Sequence, residues 1–267
     1  MKKFNICMIG ASHITSFDLG WREISHAFPQ VNITAVPGGG SFYNEFYSDL
    51  ADKTLKVKNA VTNHRIMKNY GNNGAIDLSD FDLCLVTGGI KWWAGIDLRL
   101  YSLQVRDSIL FEHIKASLAF PLTEVIRQIS NIPIYLTLAP FTPRRDGSFG
   151  RSSVGYSEDI YRINSRLFKG KNIEILPQIE ESMVKGMLQS KLEYAVGERS
   201  HPANPAEGEL PAILDDLVHL NPAFGARFLA HILEKHAIYP TEDFSGFPLA
   251  TGHMSLAEKE THCLKGK

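Results

Sequence analysis

Residues 4–20 read FNICMIGASHITSFDLG, a stretch in which an apolar run gives way at Gly10 to small and polar residues. Within it, residues 5–9 (NICMI) form a short apolar run that ends at a glycine, as a buried strand does. Residues 16–28 (SFDLGWREISHAF) then carry apolar residues at helical spacing. A buried strand followed by a helix predicts the first βα unit of an α/β protein.

Four further apolar runs, each closed by a glycine or a proline, are typical of buried strands. They are residues 32–36 (NITAV), 81–87 (FDLCLVT), 134–139 (IYLTLA) and 173–176 (IEIL). Helical spacing predicts helices at 100–129, with Pro121 as a break or kink, at 157–168, beginning at Ser157, and at 222–236. Apolar strands that alternate with helices predict βαβ units and a mostly parallel sheet with helices on both faces. We therefore expect a doubly wound, three-layer α/β/α sandwich with five strands.

Two stretches do not follow this alternation. Residues 53–69 contain TLKVKN and HRIMKN, which predict a small inserted hairpin. Residues 182–210 end in a polar, proline-rich run, and connections of that length tend to be lids or binding loops. We expect one α/β domain over residues 1–240 and a C-terminal extension over residues 241–267. Two roles stay open for this tail: it wraps the domain, or it mediates contacts in a homo-oligomer.

The overall composition excludes several classes of protein. The 267 residues are 44% hydrophobic and 21% charged, as in ordinary globular proteins, and the net charge of −1 leaves no electrostatic footprint for nucleic acid. No run approaches the ~20 apolar residues that a membrane span needs. The run FNICMIG after the N-terminal lysines is too short for a signal peptide. We expect a small-molecule partner, with no nucleic acid and no membrane span.

The cysteines and histidines point to no cofactor. Cys7, Cys84 and Cys263 have no regular spacing, which argues against a disulfide framework and a zinc site. Cys7 and Cys84 lie in apolar runs and are expected to be small core residues, and a reduced, cytoplasmic setting fits this usage. The ten histidines form no HExxH motif, and neither GxGxxG nor GxxxxGK(S/T) occurs. The sequence therefore predicts no metal and no nucleotide cofactor.

A candidate nucleophile follows the first strand. In open α/β sheets, ligands bind beyond the carboxyl ends of the strands, near the point where the strand order reverses. Ser12 lies there at the start of a helix, where free backbone N–H groups favour developing negative charge. The alternative is that Ser12 only caps the helix. The turn after the second strand contains Gly38, Gly39 and Gly40, which allow the backbone to approach a ligand.

A candidate acid–base pair precedes the last helix. Asp216 lies three residues before His219, so its carboxylate can orient the imidazole, and the imidazole can take a serine proton. A surface Asp and a capping His are the alternative interpretation. Asp215 competes for the role of the acid, and His201 competes for the role of the base.

In chain order, these segments resemble the blocks of the SGNH (GDSL-like) hydrolases. The GASH run at residues 10–13, the glycine-rich turn, the pair Gly88-Gly89 and the DxxHLN run at residues 216–221 fall where that family has its four blocks. The resemblance covers roughly residues 4–233. It implies a flavodoxin-like α/β/α sandwich with a mostly parallel five-stranded sheet.

The resemblance also implies a role for each matching residue. Ser12 matches the nucleophile, Asp216 the acid and His219 the base. Gly39, or a glycine on either side of it, matches the oxyanion-hole glycine. The residues expected around the oxyanion and the substrate are Gly39, Gly40, Gly88 and His13.

The third block departs from the family pattern, which has an asparagine where this chain has Ile90. The isoleucine side chain cannot donate a hydrogen bond, and the loss of one oxyanion donor costs roughly 10²–10³ in rate. The candidates to replace the missing donor are Lys91, Arg144 and Arg145. Trp92 and Trp93 are candidates for the wall of a substrate pocket, or for core or lid packing.

The resemblance thus predicts a serine esterase that hydrolyses a small acyl ester, such as an O-acetyl ester of a carbohydrate, through an acyl-enzyme. Two alternatives stay open. One is an O-acyltransferase that passes the acyl group to a carbohydrate or another alcohol, and the other is a catalytically degenerate ligand-binding protein, which Ile90 favours. A flavin-binding, flavodoxin-like protein is a further alternative, and the colour of the purified protein tests it.

Overall fold

A computed structural model describes residues 3–38, 42–58, 74–92, 97–144, 151–195 and 220–241. The strands in these ranges are β1 (Phe4–Gly10), β2 (Val31–Pro37), β3 (Phe46–Asp49), β4 (Thr54–Val57), β5 (Ile76–Asp77), β6 (Leu83–Ile90), β7 (Ile134–Leu138), β8 (Arg151–Ser152), β9 (Ile173–Leu176) and β10 (Met187–Leu188). The α-helices are α1 (Ile14–Ile24), α2 (Leu103–Lys115), α3 (Ala119–Arg127), α4 (Tyr156–Arg162) and α5 (Pro222–Lys235). A π-helical turn (Ile163–Leu167) continues α4.

The central sheet has five strands in the order β2-β1-β6-β7-β9, and every pair of neighbours is parallel. This order is that of a flavodoxin-like, doubly wound sheet, whose direction of winding reverses between β1 and β6. The predicted fold class, a three-layer α/β structure with a mostly parallel five-stranded sheet, is confirmed. The switch point lies directly beyond Gly10, where the chain continues to Ser12.

Alternating side chains of β1 supply the two hydrophobic cores. Ile6 and Met8 pack on the face that α1 and α5 cover. Cys7 and Ile9 pack on the opposite face, which α2, α3 and α4 cover. Because β1 is buried on both faces, its sequence is continuously apolar instead of alternating.

The helices α1 and α5 cross with their backbones in direct contact. A Cβ built on Gly225 would lie 2.0 Å from the carbonyl oxygen of Ser16, and one built on Gly20 would lie 2.3 Å from the amide nitrogen of Ala226. Only glycine permits this approach at either position. The crossing fixes α5 against the helix that begins just after Ser12.

The structure corrects several predicted boundaries. The third strand of the core does not end at residue 87: β6 continues through the two glycines to Ile90, with a shift of register relative to β7 between Val86 and Ile90. The helix predicted at 100–129 is two helices, and the interruption precedes Pro121, which lies in the first turn of α3, where a missing N–H costs nothing. Ser157 does not begin α4, because Gly155, at φ 88°, occupies the capping position.

A small antiparallel sheet of β3, β4 and β5 packs against α3 and the main core. The hairpin predicted at residues 53–69 overlaps only β4, and residues 59–73 lie outside the described residues. At the other end of the chain, Thr241 donates its N–H to the carbonyl of Ala27 at 2.8 Å, and residues 242–267 lie outside the described ranges. Within the described part of the chain, no helix combines the length and the apolar character that crossing a membrane requires.

Candidate functional site

Ser12 lies at the switch point of the sheet, in the turn between β1 and α1, and is partly exposed. Its carbonyl accepts a hydrogen bond from the Thr15 N–H at 3.3 Å. Among the described residues, neither its hydroxyl nor its own N–H has a hydrogen-bond partner. His13 occupies the capping position of α1 without a side-chain capping bond, so the interpretation of Ser12 as a helix cap is wrong.

The N-terminus of α1 gives this serine a favourable electrostatic setting. The N–H of Ile14 is engaged by the carbonyl of Ala11 at 3.0 Å, whereas the N–H of Ser12 has no hydrogen-bond partner among the described residues. The helix dipole adds partial positive charge at this end of α1, which has 11 residues. A negative charge that develops beside Ser12 Oγ would be stabilised by both effects.

His13 and Gly88 are brought together across the switch point. Gly88 has φ 75°, and a Cβ built on it would lie 2.6 Å from Cδ2 of His13. The imidazole therefore covers the bare Cα of Gly88. The Gly88 N–H donates to the buried Oγ1 of Thr137 at 3.2 Å, so this N–H is engaged inside the protein.

Tyr43 joins the ends of β1 and β6, and the sequence analysis missed it. Its hydroxyl accepts the N–H of Ala11 at 3.0 Å and donates to the carbonyl of Thr87. Burial raises the pKa of Tyr43 to about 12, so the phenol stays protonated and keeps its donor. The only sign of this role in the neighbouring sequence is the aromatic pair that follows the glycine-rich turn. The hydrogen-bond partners of Tyr43 lie 32 and 44 residues away along the chain.

Packing explains the first glycines of the site. A Cβ on Gly10 would lie 2.0 Å from Thr87 Oγ1, and one on Gly38 would lie 1.8 Å from the ring of Phe42. The N–H of Gly38 also donates to the carbonyl of Gly10 at 2.9 Å, which joins the ends of β1 and β2. The two glycines predicted to hold the oxyanion, Gly39 and Gly40, lie outside the described residues.

The predicted acid–base pair falls in residues 196–219, which lie outside the described ranges, as do Asp215 and His201. The chain on either side of this segment is joined. The N–H of Asn221 donates to the carbonyl of Tyr194 at 2.7 Å, and its side-chain amide donates to the carbonyl of Glu193 at 2.8 Å. The Asn221 side-chain oxygen also caps α5 by accepting the N–H of Phe224 at 3.2 Å.

Ile90 has no access to the switch point, because its side chain is fully buried in the core under α2, α3 and α4. Its carbonyl accepts the N–H of Ala139 at 2.7 Å. Of the residues considered as replacement donors, Lys91 and Arg144 are exposed, and Arg145 lies outside the described residues. Among the described residues, no hydrogen bond joins Lys91 or Arg144 to Ser12.

A cavity of about 190 Å³ lies beside the loop that follows β6. Trp92 forms part of its wall, whereas Trp93 lies outside the described residues and Ser12 does not line it. Trp92 packs edge-on against Tyr156, with ring centroids 5.0 Å apart. The predicted role of Trp92 as a pocket wall therefore concerns a cavity that Ser12 does not border.

The cysteines of the described ranges are core residues. Cys7 and Cys84 are in register on β1 and β6, are fully buried and form no disulfide. The contact with Cys7 and burial raise the pKa of the Cys84 thiol well above its usual value. Among the described side chains, no three His, Cys, Asp or Glu residues form a group that could hold a metal ion.

The chain was compared with protein-family models and with curated proteins. No protein-family model matches the chain. A search of curated proteins finds no match either.

Proposed function

We propose that this protein is a serine hydrolase of the SGNH (GDSL-like) kind, an esterase that removes a small acyl group such as O-acetyl. The observation that carries the proposal is the position of Ser12 at the switch point, with its hydroxyl and N–H free of described partners at the N-terminus of α1. A hydroxyl so placed meets a ligand beyond the strand ends and is next to the groups that stabilise an oxyanion.

In the proposed mechanism, Ser12 Oγ attacks the ester carbonyl and passes its proton to His219, which Asp216 orients. The N–H groups of Ser12 and Gly39 hold the negative oxygen of the tetrahedral intermediate. The intermediate collapses to an acyl-enzyme as the alcohol leaves with the proton from His219. Water, activated by the same imidazole, then releases the acid and restores Ser12.

The helix crossing supports a meeting of Ser12 and His219. Gly225 of α5 touches Ser16 of α1, so the two helices are fixed to each other at that point. Four positions separate Ser12 from Ser16, and six separate His219 from Gly225. Both proposed catalytic residues are therefore tethered by short segments to one rigid contact.

The donors around the proposed oxyanion site argue for slow turnover. The buried Ile90 supplies no side-chain donor, and the N–H of Gly88 is engaged by Thr137. The oxyanion then relies on the backbone N–H groups of Ser12 and Gly39. Because one lost donor costs roughly 10²–10³ in rate, we expect kcat to fall short of that of a complete site by about this factor.

The proposal also covers the compartment, the substrate partner and the oligomeric state of the enzyme. The cysteine usage suits a reducing, cytoplasmic compartment, since the described pair Cys7 and Cys84 is kept as buried thiols. The partner is a small-molecule or carbohydrate ester, in keeping with a net charge of −1 that offers nucleic acid no attraction. Homo-oligomer formation is part of the proposal as well.

Release of acid from 4-nitrophenyl acetate and from an acetylated sugar tests the activity. Wild type is expected to hydrolyse at least one of them, and Ser12→Ala is expected to lower the rate at least about 10³-fold, because the nucleophile is lost. The matched control is Ser108→Ala, which removes an exposed hydroxyl on α2 and should act as wild type. An equal rate in Ser12→Ala would overturn the proposal, and product that rises with an added sugar acceptor would identify an acyltransferase instead.

A further inference from the structure

The cavity beside the loop after β6 has an apolar interior with rigid aromatic walls. Its described walls come from Trp92, from residues 97–99, from the second half of α2, from the ribbon of β8 and β10, and from the start of α4. Its apolar lining consists of Trp92, Leu98, Leu110, Ile114, Val154, Tyr156 and Leu188. An apolar cavity of about 150 Å³ is large enough to bind benzene, so about 190 Å³ holds one ring and a few further atoms.

The aromatic walls are fixed in place. Tyr156 packs edge-on against Trp92, with centroids 5.0 Å apart, and against Phe141, with centroids 5.5 Å apart. Its hydroxyl is held by the N–H of Gln178 at 2.9 Å, so the ring cannot turn away. Pre-arranged ring edges and faces favour a flat aromatic ligand over a flexible chain.

The carboxylates in the wall are already neutralised by arginines. Asp97 pairs with Arg99 at 2.6 Å, and hydrogen bonds from Arg99 lower the pKa of Asp97 to about 2. Asp159 pairs with Nε of Arg106 at 2.6 Å. Arg151, which also lines the cavity, makes no ion pair with any described residue. The charge that the cavity leaves uncompensated is therefore positive.

A second arginine donor lies behind the same wall. Arg106 is 4% exposed, and its Nη2 atom has no hydrogen-bond partner in the described structure. This atom is 3.5 Å from the position that a Cβ of Gly155 would take, between the lining residues Val154 and Tyr156. Buried donors without a partner are rare, and each marks a place where an acceptor would be stabilised.

We propose that this cavity is a binding site for a small ligand with an aromatic ring and a carboxylate. The ring lies against Trp92 and Tyr156, and the carboxylate faces Arg151 at the mouth. Arginine matches a carboxylate in charge and in planar geometry. The site is separate from Ser12, so this inference does not rest on the proposed esterase activity.

Calorimetric titration of the whole chain with phenylacetate tests the site. The two comparison compounds are benzyl alcohol, which keeps the ring without the charge, and acetate, which keeps the charge without the ring. We expect phenylacetate to bind at least about tenfold more tightly than either one, because only phenylacetate engages both the ring wall and Arg151. Absence of binding at millimolar phenylacetate, or equal binding of benzyl alcohol, would overturn the proposal.

Two variants locate the binding. Arg151→Ala removes the unpaired charge and should weaken phenylacetate binding about tenfold, whereas Ser152→Phe, at an exposed residue of the lining, should block the mouth and abolish it. The matched control is Arg22→Ala, which removes an exposed arginine on α1 and should bind as wild type. Circular dichroism melts verify that each variant is folded. Folded variants that bind like wild type would place the ligand elsewhere and contradict the proposal.

Discussion

The imidazole of His13 lies over the Cα of Gly88, so close that a Cβ on the glycine would come within 2.6 Å of the ring. The contact links the turn after β1 to the bulged end of β6, one residue away from Ser12. Two consequences follow for a substitution here. A side chain would be strained by the left-handed φ of 75°, and it would displace His13.

Gly88→Ala is therefore expected to lower the free energy of unfolding by about 2–5 kcal/mol, the sum of the left-handed strain and the overpacking. The matched control is Gly170→Ala, because Gly170 has nearly the same φ, 74°, and open space around it. The control should lose only the strain, about 1–2 kcal/mol. Chemical denaturation measures both, and equal losses would show that the contact with His13 has no energetic weight.

Tyr43→Phe removes the hydroxyl that joins Ala11 to Thr87. The substitution leaves a backbone N–H without its partner, so we expect a loss of about 1–3 kcal/mol. Tyr47→Phe is the control, since Tyr47 is 39% exposed and its loss should be near zero. Thermal melting measures the loss of stability in both variants. A Tyr43→Phe variant as stable as wild type would contradict the bridging role.

Gly225→Ala tests the crossing of α1 and α5. Helix propensity alone predicts a gain of about 1 kcal/mol, because alanine is a better helix former than glycine. The new methyl group would meet the Ser16 carbonyl at 2.0 Å, and overpacking at the upper end of its usual range, about 3 kcal/mol, would leave a net loss of about 2 kcal/mol. Glu234→Ala, at an exposed position of the same helix, serves as the control and should change stability little. A net gain in Gly225→Ala would mean that the helices separate easily.

His236 should make stability depend on pH. Its ring packs on Phe4 and Tyr135, and burial, followed by the charge of Lys235, lowers its pKa from 6.5. The unfolded chain therefore takes up this proton first, so the contribution to stability is complete above pH 6.5 and is lost as the pH falls toward the folded pKa. We expect the drop in Tm between pH 7.5 and 5.5 to be smaller in His236→Phe than in wild type.

The control for this titration is His231→Gln, which removes an exposed histidine from α5, the helix that ends just before His236. It should leave the pH dependence of Tm as in wild type. If His236→Phe retains the full drop in Tm between the two pH values, another group causes it.

The local parts of the fold could be predicted from the sequence. The run at residues 5–9 is apolar because β1 is buried on both faces, and the helical spacing after it reflects the buried face of α1, so both elements were predicted. The end of β6 could not be predicted in this way. Two glycines are typical of a strand end, yet Gly88 takes a positive φ and Gly89 packs against Ala119, and the strand continues to Ile90.

Contacts between segments that are distant along the chain could not be predicted from local patterns. The position of Ser12 just after β1 could be predicted, because the apolar run and the glycine that ends it are local patterns. Tyr43 was missed because the role of a phenol at the switch point depends on partners in two other segments. The buried pair of Arg106 and Asp159, 53 residues apart, was missed for the same reason, although it shapes the wall of the cavity.

Labelling of the purified protein with a fluorophosphonate probe, followed by intact-mass analysis, tests whether Ser12 is an activated nucleophile. We expect one label per wild-type chain, no label in Ser12→Ala or His219→Ala, and full labelling in the control Ser108→Ala. A folded wild type that takes up no label, or labelling that persists in Ser12→Ala, would contradict it.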